Sequence, residues 1–228
     1  MDTDLQEYLE SFLTPERYAR VQETLNNRTK FLTVVLEDLS NPLNANACIR
    51  TLDCFGLQNL HVIENKHLFE RDQRTSKGTV KWIDIFTYPK KEKNTEKCLQ
   101  NLKNQGYKIV SLSPHASKNV YDLDYSMPIA FVFGNESLGV TDKVVEMSDE
   151  FVKLPMYGFA ESFNISVSVA MTLQTARYQM ENSGVNWQLS KEDKIKIYRE
   201  WLPKAVNHSD LIIERHKKIK ATKKPSEN

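Results

Sequence analysis

The sequence predicts an α/β fold: a mostly parallel sheet with helices on both faces, extended by helices at each end. Three observations lead there. Residues 31–36, Phe31-Leu32-Thr33-Val34-Val35-Leu36, and residues 129–133, Ile129-Ala130-Phe131-Val132-Phe133, are continuous apolar runs of the kind buried on both sides in a parallel sheet. The second run stops at a glycine loop that opens into a helical pattern, as strands do where open α/β sheets bind ligands. Strand and helix patterns then alternate, with crossovers of about a dozen residues or more, the length that parallel neighbours require.

Each element has a local reason. Thr14-Pro15-Glu16 starts a helix: Thr14 can cap free N–H groups, Pro15 suits the first helical position, and Glu16 favours the positive helix end. This helix is expected to reach about residue 27, with Tyr18, Val21 and Leu25 as its apolar stripe and Arg17, Arg20 and Arg28 on basic faces. Asn41-Pro42 breaks the first apolar run from a helix expected over residues 44–55, which Gly56 ends. Asn44 then lies in its first turn and Arg50 on its body. Strands are expected at 60–63 and at 80–86, the latter alternating and so towards an edge, with Lys77-Gly78 as the preceding turn. Residues 66–79 are polar and rich in Lys and Arg, a loop of the kind in which binding residues often sit. A helix over 94–104 ends at Gly106, and a strand over 107–112 leads to Ser113-Pro114-His115, where His115 reads as a solvent-exposed loop residue.

Residues 167–180 form the last helix of the alternating region, with Val169, Ala170, Leu173 and Ala176 suited to close packing and Asn182-Ser183-Gly184 as its stop. Beyond it, Ile195, Tyr198, Trp201 and Leu202 recur at helical spacing, and Arg215-His216-Lys217-Lys218 begins a basic end. The chain therefore divides into a basic helical extension over 1–30, an α/β domain over 31–184, and a helical, basic C-terminal extension over 185–228.

With 228 residues and 40% hydrophobic content, one sizeable core with helical additions is expected. A formal net charge of +1 provides no global field for nucleic acid, so any nucleic-acid surface must be a local patch or be shared between subunits. Cys48, Cys54 and Cys98 are odd in number and form no C-x-x-C pair, which argues for reduced thiols and against a disulfide framework or a zinc site. The acidic first residues lack an apolar signal region, and no 18-residue apolar run occurs. The expectation is a soluble, cytoplasmic protein with no membrane contact and no metal.

The loop after residue 133 invites a phosphate-binding reading, because Gly134 and Gly139 have P-loop spacing and Thr141 falls near the Ser/Thr position. Val140 stands where that motif needs lysine, and Glu136 would place negative charge in an anion cradle, so the nucleotide-hydrolase reading is set aside. Gly134-Asn135-Glu136-Ser137-Leu138-Gly139 instead resembles the second motif of the SpoU group of RNA ribose methyltransferases, within the SPOUT superfamily. Leu154-Pro155-Met156 through Ser162-Phe163-Asn164-Ile165-Ser166-Val167-Ser168-Val169-Ala170 resembles the third motif. Asn44 and Arg50, six residues apart around a small, apolar-rich stretch, match the first. Within that group the chain is similar to the TrmH-type tRNA guanosine 2′-O-methyltransferases, through Thr14-Pro15-Glu16-Arg17-Tyr18-Ala19-Arg20, Arg50-Thr51 with Asp53 and Gly56, and Asp124-Tyr125 with Pro128. The likeness covers roughly residues 13–179. Cys48 and Phe163 depart from the pattern, at positions whose roles need packing or backbone groups.

The resemblance implies a trefoil knot in the C-terminal half of the sheet and S-adenosyl-L-methionine as cofactor, held through backbone groups at Ser113, Gly134, Leu154 and Phe163, with Met156 in the same stretch. It implies a catalytic set of Arg50, Asn44, Glu136, Ser162 and Asn164. Arg50 would hold the RNA phosphate and polarise a ribose 2′-OH, since a guanidinium is too weak an acid to be assumed to lose a proton. Asn44 would orient Arg50 or the ribose, Glu136 would anchor the arginine or the loop, and Ser162 and Asn164 would shape the pocket. The implied substrate is guanosine 18 of the tRNA D-loop and the implied assembly a homodimer with the 167–180 helix at the contact. Arg17, Arg20, Arg28, Arg215, Lys217 and Lys218 are the candidate RNA-binding residues. Two alternatives stay open: the same chemistry on 23S ribosomal RNA, and a non-catalytic RNA-binding protein on the same fold. The intact Asn44, Arg50, Glu136 and Asn164 set argues against the second, and a basic N-terminal helix in place of a larger RNA-binding domain favours tRNA.

Overall fold

The computed structural model describes residues 1–69 and 78–222. Most of the basic loop expected at 66–79, Lys77 included, and the lysine-rich end beyond 222 lie outside the described residues. In chain order the elements are α1 (Thr3–Glu10), α2 (Pro15–Asn26), β1 (Leu32–Glu37), α3 (Pro42–Cys54), β2 (Asn59–Ile63), β3 (Asp84–Tyr88), α4 (Asn94–Asn104) and β4 (Lys108–Leu112). There follow β5 (Lys118–Asn119), β6 (Ile129–Phe133), α5 (Asp142–Met147), β7 (Glu150–Lys153), α6 (Ile165–Asn182), α7 (Lys191–Ala205) and α8 (Ser209–Thr222).

Two compact units result: Met1–Arg28 together with Leu189–Asn228, and Thr29–Gln188. The terminal segments, expected as separate extensions, thus fold into one unit. Its helices start as their sequences dictate: Thr14 accepts the Arg17 N–H at 3.2 Å with Pro15 in the first turn of α2, and Ser190 accepts the Asp193 N–H at 3.0 Å ahead of α7. Leu9, Val21, Leu25, Ile197, Trp201 and Leu202 are buried in it, while Tyr18, expected in the apolar stripe, is 42% exposed. Arg28 corrects an expectation outright. It is 0% exposed, with its guanidinium 5.1 Å from the centroid of the Trp201 ring, so it is a buried cation–π partner and leaves the set of candidate RNA contacts.

The larger unit is built on a seven-stranded sheet in the order β3-β2-β1-β6-β4-β7-β5, every pairing parallel. Helices cover both faces. Val34, Leu36, Leu60, Phe131 and Val152 point to the face where α3 contributes Ile49 and Leu52 and α6 contributes Val169, Leu173 and Ala176. The intervening Val35, Ile63, Ile109, Ala130 and Val132 point to the face closed by Leu99 and Leu102 of α4 and Val144 of α5. Strands buried on both sides need apolar residues at every position, which is why β1 and β6 read as unbroken runs. Among the described residues, no helix is long and apolar enough to cross a membrane.

The strand expected at 80–86 divides: Thr79–Trp82 is a 3₁₀ turn entered through Gly78 at φ +75°, and pairing starts only at Asp84. β3 is an edge strand, as its alternation predicted. α3 begins two residues before the expected start, because Asn41 caps the Leu43 N–H at 2.9 Å and Pro42 takes the first turn; Asn44 still lies there. α1, β5 and the 3₁₀ turn Val120–Asp122 were not anticipated.

This topology decides where a site can form. The order of strands reverses direction after β3: the chain crosses to the other side of β1 and later inserts β6 between β1 and β4, the condition that opens a crevice beyond the carboxyl ends.

Candidate active site

The loops leaving β1, β4, β6 and β7 all emerge at one end of four adjacent strands. Ser111 pairs with Val132 and Leu112 with Val152, so Ser113, Gly134 and Leu154 follow those strand ends side by side. The 134–139 turn is closed by reciprocal backbone hydrogen bonds of 2.9 Å between Asn135 and Gly139. A Cβ on Gly134 would stand 2.2 Å from the Gly139 carbonyl carbon and 2.3 Å from the Val140 nitrogen, so glycine is obligatory there. Gly139 at φ +69° completes the turn. Asn135 fixes it to β1, its Nδ2 donating to the Asp38 carbonyl at 2.8 Å, and its Oδ1 accepts the N–H groups of Ser137 and Leu138.

Glu136 is the next residue; its carboxylate binds the segment that carries Asn44, and Asn44 extends the link to Asn164. Oε2 accepts from the Ser40 N–H at 3.0 Å and the Ser40 hydroxyl at 2.9 Å; Oε1 accepts from the Asn41 N–H at 3.3 Å and Asn44 Nδ2 at 2.9 Å. Asn44 Oδ1 in turn accepts from Asn164 Nδ2 at 3.1 Å, and Asn164 Oδ1 caps α6 through the Ser166 N–H at 2.9 Å and hydroxyl at 2.7 Å. Partial burial pushes the Glu136 carboxyl upward, but the hydrogen bonds from Asn44 and Ser40 prevail and hold it down at about 2. Glu136 is therefore an anion at every physiological pH.

Arg50 stands apart from this chain of bonds. It is exposed on α3, and among the described residues it has no hydrogen-bond or ion-pair partner. Of the two roles expected for Glu136, the structure supports anchoring of the loop. Of those expected for Asn44, contact with Arg50 is absent, because both ends of its amide are committed to Glu136 and Asn164. Ser162 is exposed, and no hydrogen bond of its side chain occurs among the described residues, so the pocket-shaping bonds expected of Ser162 and Asn164 are made here by Asn164 alone.

The residues expected at the cofactor divide similarly. The Ser113 N–H donates to the Val152 carbonyl at 3.0 Å, its own carbonyl accepts from Ala116, and its Oγ accepts the His115 N–H at 3.3 Å, which leaves the hydroxyl O–H as its free donor. Leu154 is 7% exposed and Phe163 38%, with Met156 half-buried. Among the described residues, the backbone groups of Met156 and Phe163 make no hydrogen bond, so they are open to a ligand. Cys48 sits buried beside this cluster, and burial with the charge of Glu136 pushes its thiol up to about 12, too high for a nucleophile at neutral pH. His115 is exposed. No group of three or more His, Cys, Asp or Glu side chains that could hold a metal ion occurs among the described residues.

The bonded chain through Glu136, Asn44 and Asn164 joins residues that lie 92 and 120 positions apart, so no local sequence pattern reveals it. The SpoU rRNA Methylase family model matches residues 31–174. The chain belongs to this family. Among members similar to it, a tRNA (guanosine(18)-2′-O)-methyltransferase of Borreliella burgdorferi is 37% identical over 198 residues, 84% of this chain and 88% of the relative. The crystal structure of the Aquifex aeolicus TrmH/SpoU tRNA modifying enzyme superposes with a TM-score of 0.74 at 31% identity, covering 84% of this chain and 97% of that one. A 23S rRNA (guanosine-2′-O-)-methyltransferase of Nitrosomonas europaea is 30% identical over 172 residues, 74% of this chain and 65% of the relative. The matched range contains all three segments that the Glu136–Asn44–Asn164 bonds unite.

The same bonds set an acid limit. Because the folded-state value of Glu136, about 2, lies below the ordinary 4.5, its contribution to stability is complete above pH 4.5 and is lost as the pH falls through 2. Thermal melting across pH 2–6 should show a smaller acid-dependent decline for Glu136→Gln than for the wild type; parallel profiles would remove Glu136 from the acid response.

Proposed function

We propose that this protein transfers the methyl group of S-adenosyl-L-methionine to the ribose 2′-OH of guanosine 18 in tRNA. The observation that carries the reading is the Glu136–Asn44–Asn164 chain, which gathers the three SpoU motifs at one sheet end and leaves the Arg50 cation uncommitted. The relatives similar over most of both chains carry the tRNA activity in their names, whereas the ribosomal relative extends well beyond the matched region. The tRNA reading therefore holds over the ribosomal one.

The residues present fit the cofactor. The turn at Gly134 excludes any side chain, and the open backbone groups of Met156 and Phe163 with the Ser113 hydroxyl offer the donors and acceptors that a nucleoside requires. Ser113, Gly134, Leu154, Met156 and Phe163 would hold it. When bound, S-adenosyl-L-methionine supplies an electrophilic sulfonium methyl. The protein's own work is to align a 2′-OH and exclude water. Arg50 holds the phosphate next to the target ribose and polarises the hydroxyl, whose proton is lost to solvent late in the transfer as the methyl adds to its oxygen. Glu136 and Asn44 fix the start of α3 and through it the place of Arg50, and Ser162, at the mouth of α6, contacts the ribose side.

The same reading includes a trefoil knot in the chain from β6 to α6, a homodimer and a cytoplasmic location. Support for the dimer comes from large apolar side chains exposed beside each motif: Leu43 at 64%, Leu138 at 69% and Val167 at 43%. For tRNA, the exposed cations are Arg17, Arg20, Arg215, Lys217 and Lys218; Arg20 already pairs with Glu23 at 3.1 Å, which lowers its weight.

Three outcomes are expected. Arg50→Ala should lower kcat for labelled methyl transfer to tRNA by about a hundredfold or more while calorimetric cofactor affinity stays within about threefold; near-normal turnover would remove Arg50 from the reaction. Gly134→Ala should weaken cofactor binding at least about tenfold, because the turn must open to admit the methyl; unchanged heats would place the cofactor elsewhere. Replacing Arg215, Lys217 and Lys218 together by alanine should weaken tRNA binding and flatten its logarithmic salt dependence by about two to three units. An unaltered slope would make α8 a bystander.

A further inference from the structure

The glycine turn is held from a second side, by residues outside all three motifs. Glu37 ends β1 and is 1% exposed, yet no Lys or Arg pairs with it among the described residues. Its carboxylate is satisfied by uncharged donors. Oε2 accepts the Thr141 N–H at 2.9 Å, while Oε1 accepts the Thr141 hydroxyl at 2.8 Å, the Thr95 hydroxyl at 3.2 Å and Asn65 Nδ2 at 3.4 Å. Thr141 lies two residues beyond Gly139, on the closing arm of the turn, where Gly134 is packed against Gly139 and Val140. β1 and β6 are neighbours with Leu36 opposite Phe133, so the clamp reaches from the end of one strand to the loop of the next. Thr141 thus occupies the place where a P-loop keeps its metal-binding hydroxyl, and here that hydroxyl is bound to a buried carboxylate.

We infer that Glu37 is a positioning residue for the cofactor site: through Thr141 it fixes the closing arm of the 134–139 turn, and with it the backbone groups that Gly134 presents. This rests on the cofactor reading of the turn given above. A carboxylate is suited to the task because it is acceptor-only and takes both donors of one threonine at once. Glutamine keeps an acceptor for the Thr141 N–H, and its amide can donate to the threonine hydroxyls, whose roles reverse freely. Leucine fills the space and keeps neither bond.

The test compares Glu37→Leu, Glu37→Gln, Thr141→Val and Thr141→Ser with the wild type. It reads the calorimetric Kd for S-adenosyl-L-methionine, the KM for cofactor and for tRNA, kcat, and hydrogen exchange of the Thr141 amide. Glu37→Leu and Thr141→Val should raise the cofactor Kd and KM by about tenfold, as loss of one charge-assisted hydrogen bond or more implies, with kcat at saturating cofactor and the KM for tRNA within about threefold. Glu37→Gln and Thr141→Ser should stay within about threefold of wild type, and the Thr141 amide should exchange fast only in Glu37→Leu. A folded Glu37→Leu protein with cofactor affinity changed less than about threefold, or one that loses kcat at constant KM, overturns the inference. Should Glu37→Leu fail to fold, Thr141→Val decides by the same threshold. A wild type that binds no cofactor overturns the reading of the turn itself, an outcome distinct from unchanged binding in the variants.

Discussion

The site depends on a carboxylate that is fully occupied without a cation. Glu136 meets four donors from Ser40, Asn41 and Asn44, all uncharged. An ion pair with Arg50 would have satisfied the same oxygens, and would also have neutralised the one cation that the first motif supplies. Amide and hydroxyl donors stabilise the anion while leaving the guanidinium free to meet phosphate, so the hydrogen-bond pattern separates the structural charge from the working one. Glu37, itself buried, follows the same rule one strand over, where threonine and asparagine donors replace a cation.

That arrangement is possible only because of the sheet order. Asn44 and Glu136 are 92 residues apart and Asn44 and Asn164 are 120 apart, yet each pair is in hydrogen-bond contact. Insertion of β6 between β1 and β4 places the turn after β6 against the loop after β1, and β7 beyond β4 brings the 154–164 stretch to the same end. A parallel sheet puts all these loops at the carboxyl end of their strands, and a side chain of ordinary length bridges the roughly 4.8 Å between neighbours. Short polar side chains therefore suffice where distant elements would have needed long, flexible ones.

Much of this was legible in the residues, for reasons that differ by element. β1 and β6 are buried on both faces and so are written as uninterrupted apolar runs, while α2 and α4 carry unambiguous starts or stops in Thr14-Pro15 and Gly106. The 3₁₀ turn at Thr79–Trp82 shares the alternating pattern of the strand that follows, and only pairing with β2 decides where one becomes the other. β5 has two residues, too few to show a period. Arg28 reads as a surface cation because a linear sequence does not reveal that Trp201 will lie beneath it. Among site residues, identity was readable from the motifs and partnership was not: Asn44 could face Arg50 or Glu136 equally well until α3 was placed against the 134–139 turn. Glu37 carried a signal that could have found it, an acidic residue directly ending a strand with no exposed position.

Order in the site and its chemistry meet at the start of α3. Asn41 caps the helix, Pro42 sets its first turn, and Asn44 ties that turn to Glu136, so the helix begins at a rigid point. Arg50 lies six residues further along a backbone whose own hydrogen bonds resist bending, with Ile49 and Leu52 on either side fully buried against the sheet. Only its side chain retains freedom. A cation on such a mount can meet a phosphate without reorganising the protein, which is the condition under which electrostatic contacts favour a transition state over the bound ground state. The polar chain beneath it is thus best understood as the foundation of Arg50, and the uncharged nature of every donor in that chain as the reason its charge survives for the substrate.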